Sequence, residues 1–101
     1  MNPSSVLAEV IVDQLIQSGV KEVVVAPGSR NAPITMAFFR AYQAGRVRLH
    51  SRIDERSAAF LALGISKATN SPAVVICTSG SAAANFHPAI LEAHHSDIQL
   101  I

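Results

Sequence analysis

The sequence predicts an α/β fold in which a mostly parallel sheet carries helices on both faces. Two observations support this. Continuous runs of β-branched and small apolar residues, "VVVA" at Val23–Ala26 and "AVVICT" at Ala73–Thr78, suit strands buried on both faces. Between and around them lie segments whose apolar residues recur at helical spacing and end at Gly or Asn.

Taken in order, Ser4 and Ser5 suit a helix N-cap, and Leu7, Val10, Ile11 and Leu15 repeat at three- and four-residue spacing until Gly19 ends the first helix. "KEVVVA" is the first strand, stopped by Pro27 and Gly28. Ala32 to Ala44, closed by Gly45, is the second helix, and "VRLH" is a short second strand. Asp54 and Glu55 then fit the first turn of a third helix, with a stripe of Ala58, Leu61, Ala62 and Ile65 that ends at Asn70 and Ser71-Pro72. "AVVICT" is the third strand, "SGS" a turn, Ala82 to His95 a fourth helix, and "DIQLI" the start of another strand. No repeat, low-complexity tract or linker divides residues 1–101, which read as part of one domain. An ending inside an apolar strand predicts a truncated domain.

Half of the residues are hydrophobic and 15% charged, the balance of a folded chain. A net charge of +1 with scattered basic residues argues against a nucleic-acid or anionic-membrane footprint. Cys77 is the single cysteine, which excludes an internal disulfide or a cysteine-based metal cluster and suits packing as a small apolar residue. The start "MNPSSVLAEVIVDQL" has neither the basic flank of a signal peptide nor an unbroken apolar span, so a cytoplasmic location is expected.

Neither G-x-x-x-x-G-K-[ST] nor G-x-G-x-x-G is present, and "TSGSA" lacks the frame of a nucleophile elbow. Three strand-to-helix junctions remain: Pro27-Gly28-Ser29-Arg30, Asp54-Glu55-Arg56 and Thr78-Ser79-Gly80-Ser81. In a parallel sheet they share the rim at the carboxyl ends of the strands, where open α/β sheets bind ligands. Arg30 offers a planar fork for a carboxylate or phosphate, or else pairs with a surface acid. Glu55 is a helix-start charge or a catalytic acid, and the "TSGS" turn is a helix entry capped by Ser79 or Ser81 or an anion contact. His94 and His95 fit a helix C-terminus; His50 and His87 remain unassigned, and no metal-ligand spacing is visible.

"APGSRNAP", "DERSAAFLALGISKAT" and "VVICTSGSAAANFHPAILEA" together resemble, in order and spacing through nearly the whole chain, the N-terminal pyrimidine-binding domain of the 2-succinyl-5-enolpyruvyl-6-hydroxy-3-cyclohexene-1-carboxylate synthase family, thiamine-diphosphate enzymes of menaquinone biosynthesis. Arg30 in "PGSR" separates this family from acetolactate synthases and pyruvate decarboxylases, which share the architecture and the glutamate. Where the family commonly has "TSGT", Ser81 keeps a hydroxyl.

The resemblance implies that Glu55 is catalytic and hydrogen-bonds N1′ of the cofactor's aminopyrimidine, favouring the tautomer that activates the thiazolium carbon. It implies that Ser29 and Arg30 contact a substrate carboxylate, and that Ser79, Gly80 and Ser81 lie near the cofactor. Asp54 and Arg56 would support the glutamate or serve the helix. The substrates would be 2-oxoglutarate and isochorismate. The diphosphate and its Mg²⁺, or Mn²⁺, would sit on a separate domain, and the active site would form in a homo-oligomer, at least a dimer. These 101 residues alone should then neither hold the cofactor tightly nor turn over, and should expose surfaces that promote self-association. The rival readings are an acetolactate-synthase-like decarboxylase or lyase and a non-catalytic α/β assembly module.

Overall fold

The computed structural model of the chain describes residues 2–101. Strands β1 (Glu22–Val25), β2 (Arg48–Ser51) and β3 (Ala73–Ile76) form one sheet in the order β2-β1-β3, and both pairings are parallel. All four positions of β1 are buried, as expected of a central strand covered on both faces.

Its side chains alternate between two cores. Val23 and Val25, with Val74 and Ile76, pack against Ala8 and Val12 of α1 (Pro3–Gln17) and Ala37, Phe38 and Ala41 of α2 (Ala32–Gln43). Val24 and Ala26, with Ala73, meet Ala58 and Ala62 of α3 (Glu55–Thr69) on the opposite face. Alanines at the contact let α3 lie close to the sheet. Beyond α4 (Ser81–Ala84), α5 (His87–His95) packs beside α3 through Ala59, Phe86 and Ala89. The layered α/β fold read from the sequence is therefore present, with helices on both faces.

Four local expectations are corrected. Asn2, and not Ser4 or Ser5, caps α1: its Oδ1 accepts from the Ser5 N–H at 2.9 Å, and Pro3 occupies the first turn, where its fixed φ is already helical. The helix expected over Ala82–His95 is broken into α4 and α5. Pro88 is the cause, because its ring collides with a helical carbonyl four residues back, at Ala84, the last residue of α4. Neither Ser79 nor Ser81 caps α4; Gly80 holds that position with φ 78°, a left-handed conformation that favours glycine. The strand expected over Asp97–Ile101 is reduced to a parallel bridge between Ala73 and Leu100, since Asp97 is left-handed (φ 54°) and the chain extends only after it. Asn70, also left-handed, ends α3 where expected, and His94 and His95 lie in the last turn of α5.

Among the polar residues of the three strands, one is buried. Glu22, the first residue of β1, is only 8% exposed, and its carboxylate meets His50 Nε2 at 2.9 Å and Arg48 Nη1 at 3.4 Å, both on β2. This contact gives His50 a role and ties the edge strand to the central one beyond the four-residue ladder. On the outer side, Arg40–Glu9 joins α2 to α1 and Arg46–Asp13 joins the turn after α2 to α1; being exposed, these ion pairs add little. Removing the imidazole would leave a nearly buried carboxylate with one solvent-facing partner. His50→Ala is expected to destabilise the fold by about 1–3 kcal/mol in chemical denaturation, the range for orphaning a buried acceptor; a change within experimental error would show that this bond is dispensable.

Candidate functional site

The strand register determines where the three junctions lie. Val25 is level with Ser51 on β2 and with Ile76 on β3, so the three carboxyl ends form one rim. The ladder extends slightly past the strands, with Ala26 N–H donating to Ile76 O at 2.8 Å and Arg52 N–H to Val25 O at 3.0 Å. From that rim β1 leads to α2 on one face, while β3 leads to α4 and α5 on the other. The chain thus splays in opposite directions between β1 and β3, the arrangement that opens a crevice in doubly wound sheets.

The loop after β1 is tightly built. Ser29–Asn31 form a 3₁₀ turn leading directly into α2. The Asn31 side chain accepts from the Gly28 N–H at 3.0 Å and from Thr35 Oγ1 at 3.2 Å, and donates through Nδ2 to Ala26 O at 3.0 Å. Gly28 is extended and needs no unusual dihedral; its requirement is space. A Cβ there would stand 2.9 Å from Thr78 Cβ, so the β1 loop presses directly on the end of β3. Ser29 and Arg30 are left exposed, and among the described residues no carboxylate lies within ion-pair distance of Arg30. The arginine also borders a shallow groove of about 180 Å³ lined by Leu7, Ile11, Pro33 and Ile34.

At the second junction Asp54 caps α3, its Oδ2 accepting from the Ser57 N–H at 2.8 Å. The Ser57 backbone bond, aided by a bond to its side chain, holds the Asp54 carboxyl below the ordinary aspartate value. The cap is therefore complete at neutral pH and is lost only as the pH falls through that lowered value. Arg56 stands over the Phe60 ring, 5.7 Å from its centroid, and so turns to its own helix surface. Both flanking charges thus have helix duties. Glu55, between them, is half-buried and has no hydrogen-bond or ion-pair partner among the described residues.

The third junction lies within the field of the second. Cys77 packs against the clusters that hold Ala58 and Ala59, which sets the end of β3 beside the α3 start, and burial, followed by the negative charge of Glu55, pushes its thiol above the ordinary value. Cys77 packs in both cores on the α3 side, as a small apolar residue would, and its Sγ–H donates to Thr78 O at 3.1 Å. Ser79, Gly80 and Ser81 follow, all exposed, and the helix they open is one turn long, too short to present much of a dipole. The structure therefore brings the three predicted junctions together at one rim, the first joined to the third by the Gly28–Thr78 approach and the second to the third by the packing of Cys77 with the Ala58 and Ala59 clusters. A groove of about 440 Å³ lined by Ser66, Lys67, Asn70 and Asp97 lies at the opposite, amino end of β3. Sequence reasoning missed Asn31, whose signal was only its place at the start of a helix after a Pro-Gly turn.

Among the described residues no group of three His, Cys, Asp or Glu side chains could hold a metal ion, and no helix is long and apolar enough to cross a membrane. The chain is 61% identical, over all 101 residues, to a protein of Saccharopolyspora erythraea named 2-succinyl-5-enolpyruvyl-6-hydroxy-3-cyclohexene-1-carboxylate synthase. It is 54% identical, again over its whole length, to proteins of the same name from Thermobifida fusca and Mycobacteroides abscessus. It spans only 18–19% of the length of these relatives. Residues 6–101 match the family model described as thiamine pyrophosphate enzyme, N-terminal TPP binding domain, and the chain belongs to that family.

Proposed function

We propose that these residues are part of the pyrimidine-binding domain of a longer 2-succinyl-5-enolpyruvyl-6-hydroxy-3-cyclohexene-1-carboxylate synthase. That enzyme would decarboxylate 2-oxoglutarate and add the succinic-semialdehyde unit to isochorismate in menaquinone biosynthesis. The observation that carries the reading is an uncommitted carboxylate, Glu55, and an uncommitted guanidinium, Arg30, in a chain 61% identical throughout to a relative of that name.

The residues fit the aminopyrimidine end of thiamine diphosphate. Because Asp54 satisfies the start of α3, Glu55 is free to accept a hydrogen bond from a ring nitrogen and hold a proton there. Its half-buried setting limits competition from water. When bound, the cofactor supplies a stabilised carbanion equivalent, which no side chain of this chain could provide. Arg30 and Ser29, on the locked β1 loop, orient a substrate carboxylate; the guanidinium fork fixes direction as well as charge. Ser79, Gly80 and Ser81 line the cofactor side of the crevice. The diphosphate and its Mg²⁺ or Mn²⁺ are assigned to the remainder of the longer chain, in a homo-oligomer that completes the site. Exposed Val6, Leu7, Val10, Met36, Phe39 and Tyr42 leave ample apolar surface for such contacts.

Four measurements test this reading. In the full-length enzyme, Glu55→Gln is expected to lower turnover by about 10²- to 10⁴-fold, the contribution of a positioned proton-transfer group. The same change should make Cys77 react faster with a thiol reagent, because a negative charge opposing thiolate formation is gone. Near-normal turnover would remove Glu55 from catalysis. Arg30→Lys should raise KM for a carboxylate substrate roughly tenfold with cofactor affinity little changed; unchanged KM values for both substrates would exclude the carboxylate role. Calorimetry should detect tight thiamine diphosphate binding, with Mg²⁺, by the full-length chain and not by the 101 residues alone. Tight binding by the 101 residues would place the cofactor site wrongly.

A further inference from the structure

We infer that Asn31 is the positioning residue of the anion grip: its buried amide holds the Ala26–Arg30 loop in the one shape that presents Ser29 and Arg30 together. The inference rests on the reading of Arg30 as a carboxylate contact. Asn31 is only 6% exposed, and its amide serves three partners at once. Its oxygen accepts from the Gly28 N–H and from Thr35 Oγ1, and its nitrogen donates to Ala26 O. The bonds to Ala26 and Gly28 close the loop on itself, and the bond to Thr35 anchors it to the first turn of α2. On the opposite side Gly28 is pressed against Thr78, so the loop is held from within and from without.

The chemistry of the bonds selects the side chain. One short group must accept from the Gly28 N–H and donate to the Ala26 carbonyl, and an amide does both. An ionised aspartate would face the Ala26 carbonyl with a second acceptor and place negative charge next to Arg30. A serine could still accept from Gly28 N–H but would reach less far. All three partners lie between Ala26 and Thr35, and none belongs to another strand. Loss of the amide should therefore loosen the grip while leaving the sheet and the Glu55 junction intact.

The test uses the full-length enzyme with Asn31→Ala, Asn31→Asp and Asn31→Ser. It reads kcat, KM for isochorismate and for the 2-oxo acid, thiamine diphosphate affinity, and hydrogen exchange over residues 26–31 without substrate. Asn31→Ala is expected to raise KM about tenfold for at least one substrate, with Asn31→Asp worse and Asn31→Ser between wild type and alanine, while cofactor affinity stays within about twofold. Exchange of the Gly28 amide should accelerate at least about tenfold in the alanine and aspartate variants. A folded Asn31→Ala enzyme with both KM values unchanged, or with Gly28 exchange unchanged, overturns the inference. So does a fall in cofactor affinity equal to the rise in KM, which would mark a general structural role. If Asn31→Ala does not fold, Asn31→Ser decides on the same two readouts, and no change in either overturns the inference. A wild-type enzyme inactive on both substrates would instead count against the proposed function, and the exchange measurement would still show whether Asn31 holds the loop.

Discussion

Parallel pairing around β1 is the constraint on which the rest of the structure depends. Glu22–Val25 bond a strand on each side and are buried on both faces, so the chain cannot slip by one residue without exchanging Val23 and Val25 for Val24 between two differently shaped cores. One core is built from Phe38 and branched side chains under α1 and α2, the other from alanines under α3. Because both neighbours run parallel to β1, every strand finishes at the same rim. Three loops from separate parts of the chain meet there with no further instruction.

What makes the rim a candidate site is the different treatment of its polar groups. At the first two junctions one residue satisfies the local backbone and another is left unspent. Asn31 closes the β1 loop, leaving Arg30 outside; Asp54 caps α3, leaving Glu55 without a partner. Had Arg30 been paired with a surface acid, or had Glu55 served as the cap, neither would be available to a ligand. Gly28 then sets the distance between the first and third loops, since any side chain there would push Thr78 away.

The layered fold and the shared rim were legible in the sequence because they follow from composition and order. "VVVA" and "AVVICT" cannot face water, and helical stripes between them leave few alternatives to parallel pairing. The candidate residues at the rim were legible as well, through the "PGSR", "DER" and "TSGS" junctions. Less legible were contacts between residues far apart in the chain or between competing local signals. Nothing in the sequence pairs Gly28 with Thr78, about fifty residues later, or Glu22 with His50. Ser4 and Ser5 have the side chains of good caps, but Asn2 followed by Pro3 sets the start of α1, and the helical stripe of Ala82–His95 conceals the break that Pro88 imposes.

The placement of Cys77 connects these levels. It belongs to the apolar run of β3 and packs as part of it, and burial first, then the Glu55 carboxylate, opposes its ionisation. Cys77 packs against the clusters that hold Ala58 and Ala59 of the first turns of α3, so apolar atoms occupy the ground between the α3 start and the β3 end. A half-buried carboxylate without a protein partner is available to a ring nitrogen, whereas a fully exposed one would spend its bonds on water. The apolar strand that makes the fold readable is thus also what gives Glu55 the surroundings its proposed chemistry requires.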